Sequence, residues 1–227
     1  MKRRRLATFV IALCSLVGVA GVEAAPQAAS GHSRRGIELL KQGKPGEAIG
    51  QLLKAVELDP GDTNARLNLG YAYDQAGRVD EAVVHYQKVV ELDPRHPIAH
   101  NNLGVLYDKK GLYDEAIRAF DTVLQLDPAN VKGTENLATA KKNQAIVQTR
   151  ERQLAEALSE AKAYPTNPGH AYQLARFYAF YGKRDQAIEW LDKALALGFN
   201  DLGYVKVDTA LASLRDDPDY RWLVRGR

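Results

Sequence analysis

The 227-residue chain has a single cysteine, Cys14, and it lies close to the N-terminus. A chain that sheds this stretch keeps no thiol, so it can form no disulfide, ligate no iron–sulfur cluster and attach no c-type haem. A cysteine nucleophile is excluded with them. Long apolar runs are scarce too. One spans Leu6 to Val22, which argues against a polytopic membrane protein. Charge of one sign is also missing, since 31 Lys and Arg stand against 28 Asp and Glu, a formal charge of +3. With 9 prolines and 18 glycines nothing is collagen-like, and 45% hydrophobic and 26% charged residues argue against wholesale disorder. There is no Walker or dinucleotide phosphate loop, no Gly-x-Ser-x-Gly elbow and no His-Glu-x-x-His zinc helix.

The first residues account for the basic balance. Lys2, Arg3, Arg4 and Arg5 precede the apolar run, and Val22-Glu23-Ala24 then leads into Ala25-Pro26. This order predicts a signal peptide over residues 1–24, cut after Ala24. Its removal takes away those four cations and Glu23, so the remaining 203 residues carry no net charge. No global basic field is left to attract nucleic acid. The 17 residues from Leu6 to Val22 lie near the lower limit for spanning a bilayer, and a retained N-terminal anchor is the alternative. Leu13 before Cys14 is too bulky for lipoprotein processing.

What the chain does have is repetition. Leu58-Asp59-Pro60, Leu92-Asp93-Pro94 and Leu126-Asp127-Pro128 recur every 34 residues, as do Gly43, Gly77 and Gly111, and Ala48, Ala82 and Ala116. Leu69-Gly70 with Tyr73 is answered by Leu103-Gly104 with Tyr107, and Tyr86 by Phe120. Leu69, Gly70 and Tyr73 share one helical face. Gly77 stands where a first helix should stop, Ala82 where two helices should cross, and Pro94 where a second helix cannot continue. Such a hairpin cannot bury its apolar face alone and must stack on a neighbour.

This pattern resembles the tetratricopeptide repeat. The resemblance implies an all-α, right-handed superhelical solenoid, with repeats at 29–62, 63–96 and 97–130 and a further one at 168–201. The first unit departs from the pattern at Arg35 and Leu39. Residues 131–164 carry no glycine or proline after Gly133, and Arg150 takes the crossing position, which favours one long helix over a degenerate hairpin. In residues 202–227, Asp217-Pro218 predicts the start of a short helix, and Tyr220 and Trp222 supply area for a closing cap. The closing segment is similar to that of many bacterial tetratricopeptide proteins, and with the leader it implies a periplasmic or inner-membrane-anchored protein.

The family's fold lines a concave groove with first helices, and the resemblance places partner-binding candidates there. They are Asn64, Leu67, Asn68, Tyr71, Asp74 and Gln75 in the second unit. The third holds Ile98, Asn101, Asn102, Val105, Asp108 and Lys109, and the last holds Tyr172, Arg176 and Phe180. Their amides can bond a peptide backbone and their apolar members can take side chains. The expected partner is a protein segment, with no cofactor and no catalysis. The carboxylate clamp of one subgroup is absent, because Ser33, Ile37, Ile98 and Asn102 stand where that clamp needs other residues. A metal site on His96 and His100 is the remaining chemical alternative. His32 and His100, each fourth in its unit, are expected to pack a ring on the preceding hairpin.

Overall fold

A computed structural model of the chain describes residues 19–225, and their side chains from Pro26 onward. The described helices are α1 (Val19–Lys41), α2 (Pro45–Leu58), α3 (Thr63–Gln75), α4 (Val79–Leu92), α5 (Pro97–Lys109), α6 (Tyr113–Leu126), α7 (Val131–Ala163), α8 (Pro168–Phe180), α9 (Arg184–Ala196), α10 (Leu202–Val207) and α11 (Pro218–Val224). A 3₁₀ turn, Thr209–Leu214, separates the last two. No strand occurs among the described residues, and the architecture is the expected all-α array of hairpins.

Each Leu-Asp-Pro motif ends a helix by two separate means. The proline offers no amide hydrogen to continue it. The aspartate folds its carboxylate over the loop: Asp59, Asp93 and Asp127 each accept from the backbone amide two residues on, Gly61 at 3.1 Å, Arg95 at 3.0 Å and Ala129 at 3.2 Å. The next first helix then opens on its own cap. Asp62, His96 and Asn130 accept from the amides of Ala65, Ala99 and Gly133.

Inside each of the first three hairpins a bare glycine receives a large side chain. A methyl group on Gly70 would sit 2.8 Å from the Tyr86 ring, and one on Gly104 would sit 2.5 Å from Phe120. In the first unit Gly36 meets Leu52 in the same way, at 2.5 Å. Ala48, Ala82 and Ala116 are fully buried at the crossings. Burying a ring such as Tyr86 or Phe120 contributes about 2–3 kcal/mol, and only the missing Cβ leaves room for it.

Helix α7 shows what happens when the turn chemistry is missing. Gly77 and Gly111 take positive φ, 75° and 74°. In this conformation the amide of the following residue bonds back to a carbonyl five residues earlier, Arg78 to Tyr73 and Leu112 to Tyr107, both at 2.9 Å. Ala145 occupies the equivalent position, and its side chain resists that conformation. The helix therefore runs straight through, 33 residues without a break.

The chain divides into two units between Gln144 and Ala145, within α7. The first holds the hairpins α1–α2, α3–α4 and α5–α6. Leu39, Leu52, Leu69, Tyr73, Tyr86 and Leu106 share one core there, and Phe120 and Ala140 another. Helix α1 passes without interruption through the expected cleavage point at Ala24, while residues 1–18, with most of the leader and Cys14, lie outside the described residues. Among the described residues no helix is long and apolar enough to cross a membrane.

The second unit is built on the hairpin α8–α9. Ala175 and Leu191, at the positions of Gly70 and Tyr86, are fully buried in a core that also takes in Val205, Leu211, Tyr220 and Leu223. Asp217 caps α11 by accepting from Asp219 at 2.9 Å and Tyr220 at 3.3 Å. Tyr220 is buried and donates its hydroxyl to the Val205 carbonyl at 2.9 Å. Trp222, expected to share in this burial, is 62% exposed instead. Tyr220, Leu223 and Val224 follow helical spacing on the inward face, so the residue two places after Tyr220 falls on the other side.

Candidate functional site

On α3 the residues Asn64, Leu67, Asn68, Tyr71, Asp74 and Gln75 recur at three- and four-residue steps and share a face. Tyr71 is 44% exposed and Ile98, at the start of α5, is 55% exposed. Both are large apolar groups held in solvent by rigid helices. Asn64 and Gln75 are exposed as well, whereas Leu67 and Asn68 are half-buried. Asn68 turns its amide nitrogen back to the Asn64 carbonyl at 2.8 Å, which leaves its carbonyl oxygen as an acceptor. A cleft of about 360 Å³ runs beside Ile98, Asn101 and Asn102 and is closed by Val123, Asn130 and Lys132. The last three come from α6, the loop after it and the start of α7, outside the first-helix positions that the resemblance assigns to the groove.

Four of the expected partner contacts are already engaged with neighbouring helices. Asp74 accepts from Lys109 at 3.2 Å. One repeat further on, Asp108 accepts from Asn143 at 3.1 and 3.2 Å, and Asn101 accepts from Asn136 at 3.0 Å. Residues 35 apart in sequence thus form a polar ladder across α3, α5 and the first half of α7. A parallel pair of contacts, Lys110 to Asp80 and Gln144 to Asp114, steps by 30. The exposed ion pairs Lys109–Asp74 and Lys110–Asp80 contribute well under about 1 kcal/mol each, so their main effect is register. Val105 packs against the core around Phe120. Asn102 stands near the Tyr86 phenol, whose pKa burial raises first and the Asp74 charge second, with the Asn102 amide acting the other way.

The histidines have structural partners. His96 caps α5 through Nδ1. His100 bonds its Nε2 to the Pro94 carbonyl at 2.9 Å, as Arg66 does through Nε to Pro60 at the same distance. His32 bonds Gln51 at 2.8 Å. For His32 and His100 these polar ties differ from the ring packing expected of them, because their nitrogens find a side chain and a loop carbonyl within reach. His85 stacks on Tyr73, with centroids 5.3 Å apart, and burial followed by the Arg66 charge lowers its pKa. Among the described residues no three His, Cys, Asp or Glu side chains are grouped to hold a metal.

In the last hairpin the expected contacts separate. Tyr172 is 4% exposed, stacks on Phe199 with centroids 4.2 Å apart, and donates its hydroxyl to Asp208 at 2.8 Å. It is a core residue and not part of an open face. Burial, then the bond to Asp208, raises its phenol pKa. The resemblance places Tyr172 in the open groove, but the non-repetitive segment after Phe199 folds over it. Arg176 is half-buried with Nε 2.8 Å from Asp208, and Phe180 is 60% exposed.

Residues 33–95 and 97–130 match family models of the tetratricopeptide repeat. Among solved structures the chain is similar to the first such domain of human RPAP3, with 25% identity and a TM-score of 0.52 over 55% of this chain and 98% of that one. It is also similar to the first repeat domain of Spaghetti (RPAP3) bound to an HSP90 peptide, SRMEEVD, with 26% identity and a TM-score of 0.52 over 53% and 95%. A crystal structure of MamA protein shares the fold at 20% identity and a TM-score of 0.51, over 75% of this chain and 92% of its own. No curated protein matches the sequence.

Proposed function

We propose that the chain is a non-catalytic protein-interaction scaffold that takes an extended segment of a partner on the face formed by α3 and α5. The observation that carries this reading is the pairing of exposed apolar groups, Tyr71 and Ile98, with amides at Asn64, Asn68 and Asn102 on consecutive first helices. The similar domain with a bound heptapeptide supports it. The polar ladder holds the two helices in register, so the face is presented ready-formed and little ordering is needed on binding. The clamp positions carry Ser33, Ile37, Ile98 and Asn102, so the preferred segment is apolar and uncharged, not an acidic tail.

The same reading places the scaffold in the bacterial envelope, exported by residues 1–24. Cleavage after Ala24 leaves Ala29, Ser33 and Leu39, the buried side chains among those described in α1, in place. A photo-crosslinking residue at Tyr71 or Ile98 in intact cells should trap a discrete partner, and one at Val84 on α4 should not. Equal labelling at all three positions would overturn the assignment. The mass of the purified protein tests export: Ala24→Ser should leave processing intact, whereas charged residues at Val22 and Ala24 should block it. A mature N-terminus at Met1 favours the retained anchor.

A further inference from the structure

A second face, independent of the α3–α5 one, lies wholly within residues 145–225. A cleft of about 300 Å³ is walled by Arg150 and Gln153 of α7 and by Gln173, Arg176, Phe177 and Phe180 of α8. Phe177 and Phe180 bring apolar area, and the guanidinium of Arg150 lies 5.1 Å from the centre of the Phe180 ring. No carboxylate is among its lining residues. The nearby acid is the buried Asp208, which accepts from the Tyr172 hydroxyl at 2.8 Å and the Ala210 amide at 2.9 Å and forms an ion pair with Arg176, Nε at 2.8 Å. Asp208 therefore balances Arg176 from behind and orients it, and Gln173 takes its Nη1 at 3.1 Å. Arg150 has no ion-pair partner among the described residues.

Two guanidinia, one of them unbalanced and stacked on an aromatic ring, favour a planar anion over a neutral ligand. The space is at the lower end of small-ligand sites, enough for one or two side chains. The amides of Gln153 and Gln173 suit a peptide backbone passing through. We propose that this cleft binds an acidic side chain set beside an aromatic residue within a partner's chain, the carboxylate on Arg150 and Arg176 and the ring on Phe177 and Phe180.

The test uses the full chain and a fluorescent hexapeptide blocked at both ends, Gly-Ser-Glu-Phe-Ser-Gly, read by fluorescence polarisation. Binding should weaken roughly tenfold or more with Gln in place of Glu in the peptide, and similarly in the Arg150→Gln and Phe180→Ala proteins. Both residues are exposed, so the variants should melt with the native protein. Tyr71→Ala should leave this affinity unchanged, which separates the cleft from the α3–α5 face. No binding to the native chain, or equal binding of the Gln peptide or by the two variants, would overturn the proposal. Tighter binding of a peptide that ends in Phe with a free carboxylate would also overturn it, by assigning the anion to a chain terminus.

Discussion

The hairpins before residue 131 and the one after residue 167 share a plan and complete it by different means. In the first unit a ring fits onto a bare glycine, Tyr86 on Gly70 and Phe120 on Gly104, and polar side chains 35 residues apart join successive helices. In the second, Ala175 and Leu191 occupy those places, and the hairpin packs against non-repetitive chain through the buried Tyr172 and Asp208 and the half-buried Arg176. Repeats can tie to one another with exposed or partly buried polar bonds because each tie is made again one unit later. The last hairpin meets irregular chain only once, and there the buried Asp208 carboxylate acts beside the ties of Arg184 to Asp217 and Asp219 and of Ser213 to the Ala179 carbonyl.

That contrast can be broken at several points. The largest effect is expected from Arg176→Met, which leaves Asp208 buried without its cation. Urea unfolding should show a loss of about 3 kcal/mol in the second unit, partly restored by adding Asp208→Asn. A loss no greater than that of an exposed ion pair would mean that the junction does not depend on the cluster. Next, Ala82→Leu and Ala187→Leu overfill equivalent, fully buried crossings, and each should cost about 1–3 kcal/mol. An unchanged melting temperature in either would count against a shared hairpin plan.

Alkaline pH should also separate the units. Burial raises the phenol pKa of Tyr86 in the first and of Tyr172 and Tyr220 in the second. A phenol with a raised folded pKa contributes stability that is complete below its unfolded value, about 10, and lost as pH climbs above it. Hydrogen exchange between pH 9 and 11 should therefore show both units loosening, the second more strongly. Tyr86→Phe should blunt the loss in the first alone.

Ala145→Gly should cost about 1 kcal/mol and speed amide exchange near residue 145, because it restores the residue that ends first helices elsewhere. Exchange as slow as in the native helix would show that glycine at this position is not what separates α7 from a hairpin. The smallest effect belongs to the ladder. Lys109→Met removes one exposed pair and should change stability by no more than about 0.5 kcal/mol. A larger loss would mean that the ladder carries stability as well as register.

Much of this was legible in the sequence. The 34-residue interval, the glycine at each turn and the paired Gly70 and Tyr86 located the hairpins, since helix termination and close helix approach depend on residue type at fixed spacing. Asp217-Pro218 announced α11, and the run without glycine announced the long α7. The candidate face was legible only as a set of positions. Spacing alone could not tell that Asp74, Lys109, Asp108 and Asn101 bond to the neighbouring helix, nor that Trp222 points away from the core. It also gives no sign of the cleft beside Arg150, a residue that spacing alone marks only as too large for a helix crossing.

What the sequence determined by itself, then, is where helices start, stop and offer an apolar stripe, because caps, turns and helical period act within a few residues. Which exposed side chains stay open to a partner was decided only by tertiary structure. Tyr172 and Arg176 are four residues apart on one helix, yet one is buried and the other lines a cleft, because chain more than thirty residues later folds over them. Burial depends on what packs against a face, and that neighbour is set by the whole fold.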